Sequence, residues 1–222
     1  MASVHTGTAA QGMRQRLLAC VSRHGSAAHP YSSSDALLRG PESTRNLADA
    51  VAFLCNLHGR TPGIIAYAAG HTADEKARLW LGEALDSFAR ERSFLARLAV
   101  EVGPAPVTRG SAGAEATLHA QRHSLDMLAR SERSGCGLGA AVGLLADWAT
   151  IRFVLNTAAG RVGLVAPASI VPDEDKIADI AAGLAHSPGV ERALLFGTEQ
   201  LCLQHHGLWD ILEARQLARE AA

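Results

Sequence analysis

The chain has 222 residues, 48% of them hydrophobic but only 5% aromatic, and 21 basic side chains stand against 22 acidic ones for a formal net charge of −1. That length suits one domain with a sizeable core. The near balance of charge offers no broad basic footprint, so neither nucleic acid nor a membrane is an expected partner.

The opening residues, to about Thr8, are small and polar and read as loose; a short amphipathic helix follows, with Met13, Leu17, Leu18 and Val21 on one face. From Ser26 to Arg39, Pro30 and a serine run read as loop, so residues 1–40 are expected to form an N-terminal arm on a single helical-bundle domain spanning 41–222. Pro41 opens a helix that buries Leu47, Val51, Leu54 and Cys55 and stops at Gly59 after His58, and Thr61-Pro62 opens a short one that stops at Gly70. Thr72 with Glu75 three residues on has the spacing of a capping box. The helix it opens keeps an apolar stripe through Ala77, Leu81, Ala84, Phe88, Leu95 and Leu98 to Val102, with Glu91 standing where a hydrophobe is expected. A turn-rich stretch leads to a helix from Ser111 to about Glu132, and a short connection then predicts an antiparallel neighbour from Gly137 to Ala159. An extended apolar segment, Leu164 to Val171, precedes a helix opened by Pro172-Asp173-Glu174-Asp175. The last helix starts at Ser187-Pro188-Gly189. The expected fold is all-α: an antiparallel bundle of about four long helices with short N-terminal and crossover helices.

The segment Gly137 to Ala159 is apolar nearly all round, as a core helix should be. Yet Asp147 stands on one stripe, with Ala140, Leu144, Ile151, Val154 and Ala158, and Arg152 on the other, with Ala141, Leu145, Trp148, Leu155 and Ala159. A buried charge must find a partner or shift its pKa. The same two residues interrupt the longest apolar run, which therefore falls short of a clean membrane span.

Four long helices each carry one exception on the buried stripe: Glu91, Gln121, Asp147 and His205. Counted from the shared turns at about 1.5 Å per residue, Glu91, Gln121 and Asp147 fall at similar heights, and His205 joins them if the last helix packs beside the first three, which predicts a polar layer across the middle of the bundle. Two readings of the layer stay open. One is an internal network in which Arg152 and His205 neutralise Glu91 and Asp147 and fix helix register. The other is a site for a transition metal or a small ligand, with Glu91, Asp147 and His205 as ligands or acid–base groups and Arg152 as anion clamp or counter-ion. Because Arg152 is one turn from Asp147, removing Asp147 is expected to strand it.

Other candidates carry less. Glu115, His119 and His123 share one helix face but flank the apolar stripe, which favours exposure over ligation. Glu199, Cys202, His206 and Asp210 line up on the last helix. Cys136 sits in a Gly-Cys-Gly turn, and Gly135, Gly137, Gly139 and Gly143 form no phosphate loop, because no strand precedes them and no Lys-Ser/Thr pair follows; close helix packing accounts for them. Cys20, Cys55, Cys136 and Cys202 form no CxxC pair, which argues against a zinc ribbon. No charged and apolar leader opens the sequence, so a cytoplasmic setting is expected.

The segment Gln121 to Ala129, followed by Gly135-Cys136-Gly137-Leu138-Gly139-Ala140-Ala141 and Asp147-Trp148, resembles a small family of uncharacterised bacterial helical proteins, over about residues 45 to 215. That resemblance implies no activity. The layout is also similar to ferritin-like di-metal carboxylate proteins, which use a Glu-x-x-His motif on each of two helices. This chain has no Glu-x-x-His, which argues against a standard di-iron centre. The sequence therefore points first to a non-catalytic binding or interaction protein and second to a ferritin-like enzyme. Its Ala-rich outer helices suit a homodimer.

Overall fold

The computed structural model describes residues 2–221, with side chains from Ala10 onward, and every regular element among them is helical. The long elements are α1 (Ala2–His24), α3 (Ser43–His58), α5 (Glu75–Val102), α6 (Ser111–Ala129), α7 (Cys136–Arg161) and α9 (Pro188–Glu220), with α2 (Asp35–Leu38), α4 (Ile64–His71) and α8 (Glu174–Leu184) as shorter connectors. Side-chain caps set four of the starts. Ser34 accepts from Leu37 N, Asp74 from Ala77 N, Asp173 from Lys176 N and Ser187 from Val190 N, each satisfying an orphan donor of the first turn.

The start of α5 differs from the capping box expected at Thr72. Thr72 closes α4 instead, donating its hydroxyl to Ala68 O at 2.6 Å, and Asp74 takes the cap of α5. The helix expected from Pro41 begins two residues later, at Ser43, after a turn through Gly40 to Glu42. The N-terminal helix is longer than the apolar run from Met13 to Val21 indicated. It packs on α8 and α9, and Met13, Leu17, Val21, Tyr31, Leu37 and Leu38 belong to the same core as the rest of the chain.

That core is built around α7. Its length and composition would suffice to cross a membrane, but 83% of its most apolar window is buried inside the protein. α3, α4, α5, α6, α8 and α9 all pack on it, α9 most extensively. α5 lies against α3, α4 and α7 rather than beside α6, so the turn-rich stretch that joins those two long helices does not make them packed neighbours.

Glycine sets the closeness of α7 to α9. A Cβ on Gly139 would lie 2.1 Å from Leu194 O, and one on Gly197 would lie 2.1 Å from Cys136 O. Only hydrogen fits at either position. Thr198 then reaches across to donate to Gly139 O at 3.0 Å, a polar stitch in an apolar seam. The glycine pattern of α7 is thus the imprint of a backbone-to-backbone crossing, which carries Asp147 and Trp148 into contact with α9 and α5 farther along.

Candidate functional site

Asp147, 3% exposed, is held from two directions. Ser26 donates its backbone N–H to Oδ1 at 2.7 Å and its hydroxyl to Oδ2 at 2.6 Å; His205 Nδ1 donates to Oδ2 at 2.6 Å. The serine arrives on a short helical turn, Ser26–Ala28, that enters against α7 because Gly25 has no side chain: a Cβ there would lie 2.6 Å from Asp147 Oδ1. The N-terminal segment is therefore locked to the core through a carboxylate.

His205 is completely buried, and its second nitrogen, Nε2, faces Nε2 of His58 at 2.9 Å. With the Nδ1 proton of His205 committed to Asp147, one proton lies between the two facing nitrogens. His58 ends α3 and is also buried, and burial, with His205 beside it, pushes its pKa well below the ordinary imidazole value. His58 is therefore neutral in the fold. The result is a continuous chain of hydrogen bonds, Ser26–Asp147–His205–His58, running from the N-terminal segment through α7 and α9 to the end of α3.

A second cell lies on the other side of Trp148. The indole Nε1 donates to Glu91 Oε2 at 2.9 Å, and Arg152 Nη1 bonds the same oxygen. Arg152 also donates to Asn156 Oδ1 at 2.9 Å and to Pro167 O, and its guanidinium lies 4.3 Å from the Phe94 ring centroid. Trp148 separates the two cells and touches both, meeting His58 edge-on at 5.9 Å between ring centroids. Gln121 joins the layer more loosely: Nε2 donates to Gln204 O at 3.2 Å, while its buried Oε1 has no partner.

All five residues singled out from the stripes are buried, and four of them are brought together in two pairs, while Gln121 bonds only the backbone of α9. Asp147 joins His205; Glu91 joins Arg152. The expected hold of Asp147 on Arg152 is absent, because the arginine reaches across to α5 and the aspartate turns toward α9. Glu91, Asp147 and His205 do not form a common coordination sphere. The carboxylate oxygen of Glu91 that faces the layer is occupied by an indole donor and a guanidinium, both hostile to a metal cation. Glu115, His119 and His123 are exposed.

A family model described as a family of unknown function, DUF6975, matches residues 21–220. The chain belongs to that family. No curated protein and no solved structure matches it. The matched span of this DUF6975 member begins before Ser26 and extends beyond His205, so it contains the whole hydrogen-bonded chain.

Two further polar clusters of the DUF6975 protein lie outside the stripes. In the first, Asp49 of α3, 1% exposed, receives Arg215 through both carboxylate oxygens, at 2.8 and 3.1 Å, and Arg219 as well. Those arginines also tie down the loop before α6, Arg215 by donating to Pro106 O and Ser111 Oγ and Arg219 to Thr108 Oγ1. Asp49 was not legible in the sequence because it follows leucine and alanine positions on α3 and had no visible partner.

In the second, His29, His206 and Asp210 bring their ligand atoms within 4.8 Å of one another, the one such triad among the described residues. His206 and Asp210 were legible as one face of the last helix; His29 was hidden in a loop. The hydrogen bonds at His29 oppose an ion. Its Nδ1 accepts from Tyr31 N at 3.1 Å, which places the ring proton on Nε2, and Nε2 faces Asp210 Oδ1 at 3.1 Å. A metal ligand needs that lone pair free.

Proposed function

We propose that this chain is a non-catalytic binding protein whose mid-bundle polar layer is structural, held between the long helices α5, α6, α7 and α9. The observation that carries the reading is the enclosure of Asp147: its two oxygens take part in three hydrogen bonds, two from Ser26 and one with His205, in a place with 3% exposure. A carboxylate so held and closed off from solvent is placed to specify how three segments meet rather than to meet a substrate. A ferritin-like role for Glu91, Asp147 and His205 has less support, since Glu91 is spent on Arg152 and Trp148. The same reading includes a soluble, cytoplasmic setting and a small ligand or a second copy as partner, with neither nucleic acid nor membrane. Balanced charge and the burial of α7 support it.

The test is paired. Titration of the purified protein with Zn²⁺, Fe²⁺ and Mn²⁺ should give no saturable heat and no rise in melting temperature. Asp147→Ala should lower unfolding free energy by about 3 kcal/mol or more, because it leaves the buried backbone and hydroxyl donors of Ser26 and the ring of His205 without their acceptor. Stoichiometric metal uptake that disappears in Asp147→Ala would reverse the assignment.

A further inference from the structure

His58 has a second side. Its ring lines the floor of a small cavity between α3, α4, α5 and α6, walled by Leu57, Ile64, Ile65, Phe88, Leu125 and Leu144. The polar groups around that cavity are almost all cationic: Arg60 from the turn after α3, Arg92 from α5 and Arg122 from α6, with Asp126 as the one carboxylate. Asp126 pairs with Arg60. Arg122 has only a neutral acceptor, Asn56 Oδ1 at 3.3 Å, and Arg92 has no hydrogen bond or ion pair among the described residues. Arg92 is nonetheless half-buried, enough that desolvation lowers its pKa, and its Nη1 reaches to 3.8 Å from where a Cβ on Gly63 would stand. Two uncompensated guanidinium groups thus line one apolar-walled cavity, an arrangement that costs free energy until a negative charge joins them.

We propose that the mouth of this cavity is a binding site for a small oxyanion, the carboxylate or phosphate group of a small molecule, held by Arg92 and Arg122. The cavity holds only about 10 Å³, the room of one water molecule, so it receives an oxygen atom rather than a whole ligand, whose body lies outside. Planar guanidinium forks suit such a group because each donates two parallel N–H bonds. The groups facing His58 are His205 of α9, backed by Asp147 of α7, on its inner side, and the three arginines with Asp126 on its outer side. The hydrogen-bonded chain therefore fixes the ring that closes the floor. This deepens the binding reading by naming a ligand class.

The experiment titrates the full-length protein with inorganic phosphate and, separately, with acetate at constant ionic strength, read by calorimetry and by the melting temperature. Saturable binding of either is expected, with affinity lowered at least tenfold in Arg92→Gln and in Arg122→Gln. Arg92 makes no hydrogen bond or ion pair among the described residues and has only a distant contact with the Phe88 ring, 5.8 Å from guanidinium to centroid, so Arg92→Gln should fold and melt close to the wild type. Phosphate alone or acetate alone as the binding anion would each uphold the site and name its source chemistry. No saturable binding of either anion, or binding indifferent to both substitutions, would overturn it. Since the metal titrations and the stability of Asp147→Ala are read without any anion present, failure of anion binding would leave the structural reading of the layer standing.

Discussion

His58 and His205 meet through their Nε2 atoms at 2.9 Å, and only one of the two rings has a carboxylate behind it. That asymmetry keeps His58 neutral in the folded protein, with its pKa held low by burial and by His205. The unfolded chain takes up a proton at this histidine below about pH 6.5, while the fold does not. Stability contributed here is therefore complete above that pH and falls as the solution is acidified, by up to about 1.4 kcal/mol per pH unit for one proton. Urea denaturation between pH 7.5 and 5 should show this slope, and His58→Gln should flatten it by close to one proton. An equal slope in both proteins would show that His58 titrates freely in the fold.

Gly25 and Ser26 should respond differently to substitution although they are neighbours. Ser26→Ala removes the hydroxyl bond to Asp147 and keeps the backbone one, so it should cost about 1.5–3 kcal/mol, the range for one hydrogen bond to a charged group. Gly25→Ala introduces a Cβ 2.6 Å from both Asp147 Oδ1 and Val21 O, and displaces the whole turn. It should cost more than Ser26→Ala. A Gly25→Ala protein with unchanged denaturation midpoint would mean that the turn does not dock as described.

Trp148 reports on the second cell. Glu91→Gln keeps an acceptor for the indole N–H but removes the charge that balances Arg152, whereas Glu91→Ala removes both. Glu91→Ala should destabilise by about 3 kcal/mol or more, because Arg152 remains buried without a counter-ion. Indole fluorescence should shift in Glu91→Ala and change less in Glu91→Gln. Asp147→Ala, which leaves the Glu91–Arg152 pair in place, should perturb the indole less than Glu91→Ala does.

The layer was legible because Glu91, Gln121, Asp147 and His205 each interrupt an otherwise apolar stripe, and periodicity turns such an interruption into a buried position. Its partners were not. Ser26 lies in a loop, where no period predicts what a residue will touch. His58 occupies the last turn of α3, a place that the helix dipole favours for any basic residue. Periodicity also gives a side chain's face without its partner, which is why Arg152 was expected to hold Asp147 and instead crosses to Glu91. The helices from α3 onward were readable to within a few residues of their ends, whereas the first turns of α1, small and polar, and α2, set in a serine-rich stretch, were not. The arrangement around α7 depends on glycine contacts such as Gly139 with Leu194, whose partner stands far off in sequence.

Asp49 supplies the remaining prediction. It is buried at 1% exposure and neutralised by Arg215 and Arg219, which also clamp the loop carrying Pro106 and Thr108. Removing the carboxylate leaves two desolvated cations side by side, so Asp49→Ala should cost about 3–5 kcal/mol and loosen that loop. Replacing the entire cluster by apolar residues of similar size, as in Asp49→Leu with Arg215→Met and Arg219→Met, should recover much of the loss, since the desolvation cost of all three charges disappears with their attraction. Limited proteolysis at the loop separates the two effects. The single substitution should expose it to cleavage, and the triple one should too, because the loop's carbonyl and hydroxyl acceptors lose their arginine donors whether or not the core is restabilised. A triple variant that is both stable and resistant would mean that the loop is held by its own turn, Thr108 with Ser111, rather than by the arginines.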